Sequence, residues 1–170
     1  MPVFNRLLAP WALAAACLGL SASEYTHLAS ELHAIWPAKH RVGVVCDAAA
    51  QRQELDILSL ALGPEAKLLV IDAHSTLELG TAVNALRAHQ ADFVVLLPGD
   101  RLLCEGSPLR VELARNLANF GIPCMGTTAK SVEDGALFAI GSDTDNRPRI
   151  HTQPLGSLRA ELPPPREPSL

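Results

Sequence analysis

The chain has 170 residues, of which 48% are apolar, 19% charged and 4% aromatic, and its formal net charge is −4. This length suits one domain, because two full α/β lobes would need more than about 100 residues each. The mildly acidic charge excludes a broad basic surface for nucleic acid, and four cysteines are too few for a disulfide scaffold.

The first 23 residues have the three parts of a secretory signal peptide. Arg6 supplies a positive start, residues 7–20 are almost wholly apolar, and small residues suited to cleavage follow. The apolar run is shorter than the roughly 20 residues of a membrane span, although an uncleaved anchor is an alternative. Cys17 suggests a lipoprotein signal as another alternative. The apolar residues that follow Cys17 disfavour it, because lipoproteins usually become polar at that point. We therefore expect a periplasmic or secreted protein with no membrane span after cleavage.

The rest of the chain alternates strands and helices. A short helix is predicted over 24–36, ending at Pro37. Continuous apolar runs predict strands buried on both faces. The predicted strands cover 41–46, 67–71, 92–97, 123–125 and 136–140. The predicted helices between them cover 48–62 after an Asp47 cap, Ser75 to about Gln90 with a capping box, Ser107 to Gly121, and 131–134.

Alternating βα units predict an α/β fold, a three-layer flavodoxin-like parallel sheet of about five strands in the order 2-1-3-4-5. An unrelated three-layer fold with the same elements is the alternative. We expect residues 24–39 to be a short helix and linker, and residues 40–153 to be one α/β lobe. Residues 147–153 are a candidate edge strand, and the Pro-rich residues 154–170 are predicted to be a disordered tail.

One segment carries a family resemblance. Ile122-Pro123 is followed by Ser131-Val132, then by Gly135-Ala136-Leu137 and a strand ending in Gly141-Ser142-Asp143. This order resembles the substrate-binding proteins of ABC importers, in the group associated with aromatic amino acids. The resemblance covers residues 40–143 and corresponds to the second lobe of those proteins. It implies one lobe of a type I periplasmic-binding-protein fold. Because the opposing lobe is missing, a second chain or a dimer would have to complete the cleft.

Candidate binding residues gather where the parallel strands end. Ligands of open parallel sheets lie beyond the carboxyl ends of the strands, where strand order reverses, here between strands one and three. Backbone N–H groups near Ala48 would hold a carboxylate, and Asp100 would take an amino group, so together they suit a small zwitterionic ligand such as an amino acid. Alternatively, Asp47 and Ser131 are helix caps and Asp100 is a solvated loop acid. The candidate ligand-binding residues are Asp47, Ala48, Asp100, Thr127, Thr128 and Ser131.

Cysteine and histidine residues fall at the same edge. Cys46 ends the first strand, His74 follows the second, and Cys104 lies in the loop after the third. A Cys46–Cys104 disulfide, a soft-metal site that includes His74, and unlinked thiols are all compatible with this order. The spacing matches no compact metal motif, so we predict neither a metal nor a cofactor.

Enzyme signatures are absent from the sequence. There is no G-x-S-x-G elbow, no H-E-x-x-H and no Gly-rich phosphate loop. A phosphoacceptor receiver domain would need a lysine after the fifth strand, and none follows there. We therefore predict a non-enzymatic, exported, single-lobe module that binds a small zwitterionic ligand as an accessory to ABC-type transport. The alternative is a structural or interaction module of a periplasmic, redox-related assembly with no small ligand.

Overall fold

The protein is described by a computed structural model over residues 11–38, 40–142 and 147–152. The helices are α1 (Trp11–Ile35), α2 (Arg52–Leu62), α3 (Thr76–Ala88), α4 (Pro108–Asn119) and α5 (Ala129–Glu133). The strands are β1 (Arg41–Cys46), β2 (Lys67–Asp72), β3 (Phe93–Leu96), β4 (Cys124–Gly126), β5 (Phe138–Ser142) and β6 (Pro148–Thr152). The start of the predicted signal and the predicted Pro-rich tail lie outside the described residues.

All six strands form one open sheet in the order β2-β1-β3-β4-β5-β6. The first five run parallel to their neighbours, and β6 pairs antiparallel with β5 at the edge. Two apolar clusters lie on the two sides of this sheet. One is built with α3 and α4, the other with α1 and α2. The predicted α/β class, the three-layer arrangement and the strand order are therefore confirmed, and β6 extends the sheet to six strands.

Strand alternation divides the core between these two clusters. Val44 and Val95 pack on the α1/α2 side, whereas Val45 and Val94 pack on the α3/α4 side. Successive side chains of a strand point to opposite faces, so strands covered on both faces must be apolar throughout. This requirement explains why β1 and β3 are uninterrupted apolar runs.

Two local predictions are corrected. The helix predicted from residue 48 begins at Arg52, because residues 48–51 form a turn in which Asp47 Oδ1 accepts the Ala50 N–H at 3.0 Å. The strand predicted as buried over 67–71 is the sheet edge, and its side chains are half-buried or exposed. The first difference arises from a local turn, and the second from the position of β2 beside β1 alone at the edge of the sheet.

The amino-terminal helix, Trp11–Ile35, is longer than the helix predicted over residues 24–36. α1 continues from Trp11 through the predicted cleavage residues, and Tyr25, Leu28 and Leu32 bury one face of its second half against the sheet. No helix among the described residues is long and apolar enough to cross a membrane. Export by a signal peptide stays a prediction.

A close approach links β4 to α5. A Cβ on Gly126 would lie 2.2 Å from both Cβ and Oγ of Ser131, which is far inside van der Waals contact. The strand can therefore pass beneath this helix only without a side chain at this position.

We expect Gly126→Ala to lower the free energy of unfolding by about 1–3 kcal/mol, because the added methyl overpacks a buried contact. Gly80→Ala is the matched control, since a Cβ there meets nothing within 4 Å and lies on the exposed face of α3. The control should be neutral or stabilising by up to about 1 kcal/mol. Urea denaturation followed by circular dichroism measures both, and equal stabilities for the two variants would contradict the close contact.

Candidate functional site

The carboxyl edge of β1 and β2 brings two aspartates side by side. Cys46, the last residue of β1, is the register partner of Asp72 at the end of β2, and Asp47 is the first residue after β1. Because the strands are parallel, their acidic ends emerge at the same edge of the sheet. His74 follows two residues after Asp72 and lies against both carboxylates.

Each aspartate uses one oxygen for the backbone and presents the other to the imidazole. Asp72 Oδ1 accepts the Ala48 N–H at 2.9 Å, and Asp47 Oδ1 accepts the Ala50 N–H at 3.0 Å. Asp72 Oδ2 lies 3.1 Å from His74 Nε2, and Asp47 Oδ2 lies 3.6 Å from His74 Nδ1. The backbone of the β1–α2 turn thus orients both carboxylates toward the same imidazole, Asp72 at Nε2 and Asp47 at Nδ1.

The capping box of α3 holds His74 in place. The Glu78 carboxylate accepts the backbone N–H groups of His74 and Ser75, at 2.6 and 3.3 Å. The negative charge of Asp72, followed by that of Asp47, raises the pKa of the His74 imidazole. The hydrogen bond from the Ala50 N–H is the main cause that lowers the pKa of Asp47. The imidazole and both carboxylates remain accessible to solvent.

These three residues meet the geometry of a ligand set for a cation. One ligand atom from each of Asp47, Asp72 and His74 can be chosen so that all lie within 4.8 Å of one another. The sequence also allowed a soft-metal site of Cys46, His74 and Cys104. Among the described residues, these three do not come close enough to share a metal ion. The contacts of the His74 imidazole are the two aspartates and not the thiols.

Asp100, predicted to face a ligand, is an internal acceptor. It is 1% exposed, and its carboxylate accepts the backbone N–H groups of Asp47, Leu102 and Leu103 at 2.7–2.9 Å. The alternative of a solvated loop acid is wrong, because the side chain ties the loop after β3 to the end of β1. The N–H of Ala48, predicted to hold a ligand carboxylate, donates to the protein's own Asp72.

The remaining predicted residues lie together after β4. Thr127 is buried, and Thr128 Oγ1 caps α5 by accepting the Ser131 N–H at 3.3 Å. Thr128 also donates to the Glu105 carboxylate. Ser131 was predicted either to bind a ligand or to cap a helix, but the cap of α5 is Thr128. Ser131 is buried, and its Oγ accepts from the guanidinium of Arg110 at 2.7 Å.

Arg110 is the residue of this region that the sequence-based prediction missed. Its side chain is fully buried, and Nη1 donates to the carbonyl oxygens of Leu97 and Leu103 at 2.7 and 3.1 Å. Its Nε lies 3.2 Å from Asp134 Oδ2. Burial lowers the pKa of Arg110, and the Asp134 charge opposes that effect. The helical periodicity could have predicted the burial of Arg110, because position 110 lies on the same face of α4 as Leu113 and Leu117.

The three described cysteines are free thiols. Cys46 and Cys124 are buried and Cys104 is exposed, so the Cys46–Cys104 disulfide that the sequence allowed is not formed. Burial raises the pKa of both buried thiols to about 12, and the nearby Asp100 charge adds to the rise at Cys46.

No protein-family profile and no curated protein sequence matches the chain. In fold it is similar to a conserved domain protein from Vibrio cholerae, with a TM-score of 0.56 and 19% identity over 70% of this chain and 40% of that one. A maleylacetate reductase from Agrobacterium tumefaciens scores 0.46, with 18% identity over 76% of this chain and 35% of the reductase. An iron-containing alcohol dehydrogenase from Thermotoga maritima scores 0.41, with 21% identity over 75% and 41%.

These similarities correct three predictions. The resemblance to ABC substrate-binding proteins is contradicted, because the structure that this fold matches at a TM-score of 0.56 is described as a conserved domain protein and not as such a binding protein. The predicted module for transport or periplasmic assembly is overturned with it. The prediction of a non-enzymatic protein rested on that resemblance and is corrected with it, while the reductase and the dehydrogenase, at TM-scores of 0.46 and 0.41, assign no activity to this chain. The chain spans less than half of each neighbour, and at these identities the likeness shows the fold alone.

Arg110→Met should lower the free energy of unfolding by about 3–5 kcal/mol, because it removes the cation that pairs with the buried Asp134 carboxylate and the donor to two carbonyl oxygens. Arg115→Met is the matched control, an exposed arginine on the same helix. It should change stability by less than about 0.5 kcal/mol. Urea titrations give both values, and a loss below about 1 kcal/mol in Arg110→Met would show that the network contributes little.

Iodoacetamide at pH 8 should alkylate Cys104 rapidly and leave Cys46 and Cys124 unmodified in the folded protein. Thiolate is the reactive form, and thiols with a pKa near 12 hold almost none at this pH. Peptide mass spectrometry after timed quenching measures each position separately. All three positions should react in urea, and rapid native alkylation of Cys46 would contradict its burial.

Proposed function

We propose that this α/β domain binds a divalent transition-metal cation at the carboxyl edge of β1 and β2, through Asp47, Asp72 and His74. One observation carries the proposal. The backbone N–H groups of Ala48 and Ala50 hold one oxygen of each aspartate, and the other oxygen of each converges on the same imidazole.

The donor chemistry suits a borderline cation. An imidazole nitrogen with two carboxylate oxygens is a set that Zn²⁺, Mn²⁺ or Fe²⁺ accepts, at metal–ligand distances of about 2.0–2.2 Å. One ligand atom from each side chain lies within 4.8 Å of the other two. Because the two carboxylates face different ring nitrogens, the imidazole has to rotate so that one nitrogen shares a cation with both oxygens. The hydrogen bonds from Ala48 and Ala50 then act as the outer shell that orients the ligands.

The placement of the cluster also supports a functional role. Ligands of open α/β sheets bind beyond the carboxyl ends of the strands, where Asp72 ends β2 and Asp47 immediately follows β1. Three protein ligands leave coordination positions open to water or a substrate, and the side chains of Asp72 and His74 are more than half exposed. A cation held in this way would act as a Lewis acid on an oxygen of a bound substrate.

Titration with Co²⁺ tests the proposal, because coordination by nitrogen and oxygen changes its visible absorption. We expect a saturable spectrum in the natural protein and at least tenfold weaker binding in His74→Ala and Asp72→Asn. His27→Ala and Asp56→Asn remove a histidine and an exposed acid outside the cluster and should leave the affinity unchanged. Zn²⁺ in excess should raise the melting temperature of the natural protein, since a cation that binds only the folded state stabilises it.

The alternative is a simple ion pair of His74 with the two aspartates. In that case the Co²⁺ spectrum would remain that of the aqueous ion, and Zn²⁺ would not raise the melting temperature. Equal Co²⁺ affinities in His74→Ala and His27→Ala would also overturn the proposal.

A further inference from the structure

β2 is an edge strand without the features that usually protect an edge. It has one neighbour, β1, and pairs with it over six consecutive residues without a bulge. Natural edge strands are commonly blunted by proline, by bulges or by charges along the strand. β6, at the other edge of the sheet, has Pro148 and the exposed Arg149. β2 has no proline, and its residues 68–71 are all apolar.

The unpaired backbone groups of β2 belong to alternate residues. The N–H groups of Lys67 and Ala73 donate to the carbonyl oxygens of His40 and Cys46, at the two ends of β1. Successive residues of a strand point their N–H and C=O groups to opposite sides, so those of residues 68, 70 and 72 point away from β1. No strand of the described sheet lies on that side. The edge therefore offers a regular row of donors and acceptors to a further strand.

The side chains of β2 also suit an apolar partner strand. Leu68 packs on the α1/α2 cluster, and Leu69 and Ile71 pack on the α3/α4 cluster, but none of them is fully buried. Val70 is 37% exposed. A strand placed beside β2 would cover these side chains and extend the apolar layer on both faces of the sheet, which stabilises the pairing.

The charges of β2 are complementary to those of a second copy in the antiparallel direction. Lys67 begins the strand and Asp72 ends it, so antiparallel pairing brings the basic start of each strand to the acidic end of the other. By strand alternation, Lys67 lies on the same face as Ile71, which is the face covered by α3. On that face the acidic end also includes Glu78, exposed in the first turn of α3. Parallel pairing would instead place like charges together.

From these features we infer that two copies of this chain associate through β2, paired antiparallel about a two-fold axis at Leu69. In this register Leu68 of one copy and Val70 of the other exchange N–H···O bonds, and Lys67 lies opposite Ile71 of the second copy. The cross-strand pairs are apolar except for the lysine, whose stem lies along the isoleucine while its ammonium extends toward the acidic end of the second strand. The interface is closed and symmetric, and it joins the two sheets into one.

Sedimentation velocity over a micromolar to millimolar range measures the association. EDTA is present throughout, so that no cation shared between copies can mimic the contact. We expect the natural protein to convert from monomer to dimer as its concentration rises. Val70→Pro should abolish the dimer, because proline removes an N–H that points away from β1 and leaves the pairing with β1 intact. Val70→Thr keeps that N–H and a β-branched side chain, and as the matched control it should still dimerise.

A charge variant tests the direction of the pairing. Lys67→Glu should weaken the association by about tenfold at low salt, because it places a carboxylate beside the acidic end of the second strand. Arg115→Glu makes the same change of charge at an exposed position on α4, away from β2, and should leave the association unchanged. Circular dichroism shows whether each variant is folded, and Lys67→Glu carries the test if Val70→Pro is not.

Amide hydrogen exchange locates the interface in the natural protein. The N–H groups of Leu68 and Val70 should be protected only in concentrated samples, since only the second copy accepts them. Those of Leu69 and Ile71 point toward β1 and should be protected at every concentration.

A protein that stays monomeric throughout would overturn the pairing of two copies and leave this edge to an extended segment of another protein. A dimer that survives Val70→Pro, or exchange at Leu68 that does not change with concentration, would place the contact elsewhere on the surface. Equal weakening by Lys67→Glu and Arg115→Glu would show that net charge, and not the β2 contact, controls the association.

Discussion

The buried guanidinium of Arg110 is the interaction on which the carboxyl side of this fold depends. It joins the loop after β3, through two carbonyl oxygens, to α5 and the residue that follows it, through Ser131 and Asp134. A buried charge costs several kcal/mol unless it is paired and hydrogen-bonded, so these groups hold their positions together. Asp134 also accepts the N–H of Gly106, which brings a further part of the loop before α4 into the same network.

The protein's own carboxylates fill the backbone donors at this edge. Asp100 accepts the N–H of Asp47, and Asp72 accepts the N–H of Ala48. The positions where an open α/β sheet would offer N–H groups to an anion are therefore already satisfied. What remains accessible is the opposite chemistry, carboxylate oxygens beside an imidazole, which favours a cation.

The two edges of the sheet therefore differ in what they can recognise. The carboxyl edge presents Asp47, Asp72 and His74 in contact with solvent, whereas the amino edge holds a half-open pocket of mixed lining that includes His33 and His40. Parallel strands produce this difference, because all their starts lie at one edge and all their ends at the other. A single small domain thus carries two chemically distinct surfaces on one sheet.

Sequence alone determined the elements, their order in the sheet and the capping box at Ser75 and Glu78, because these depend on local periodicity and on the handedness of βα units. It also indicated the edge at which polar residues gather. Only the tertiary structure decided which of those residues face inward. Asp100 became an internal acceptor, Arg110 became the centre of a buried network, and Asp47, Asp72 and His74 came together. The reason is physical: the partner that satisfies a charge lies on another element, and spacing along the chain does not record it.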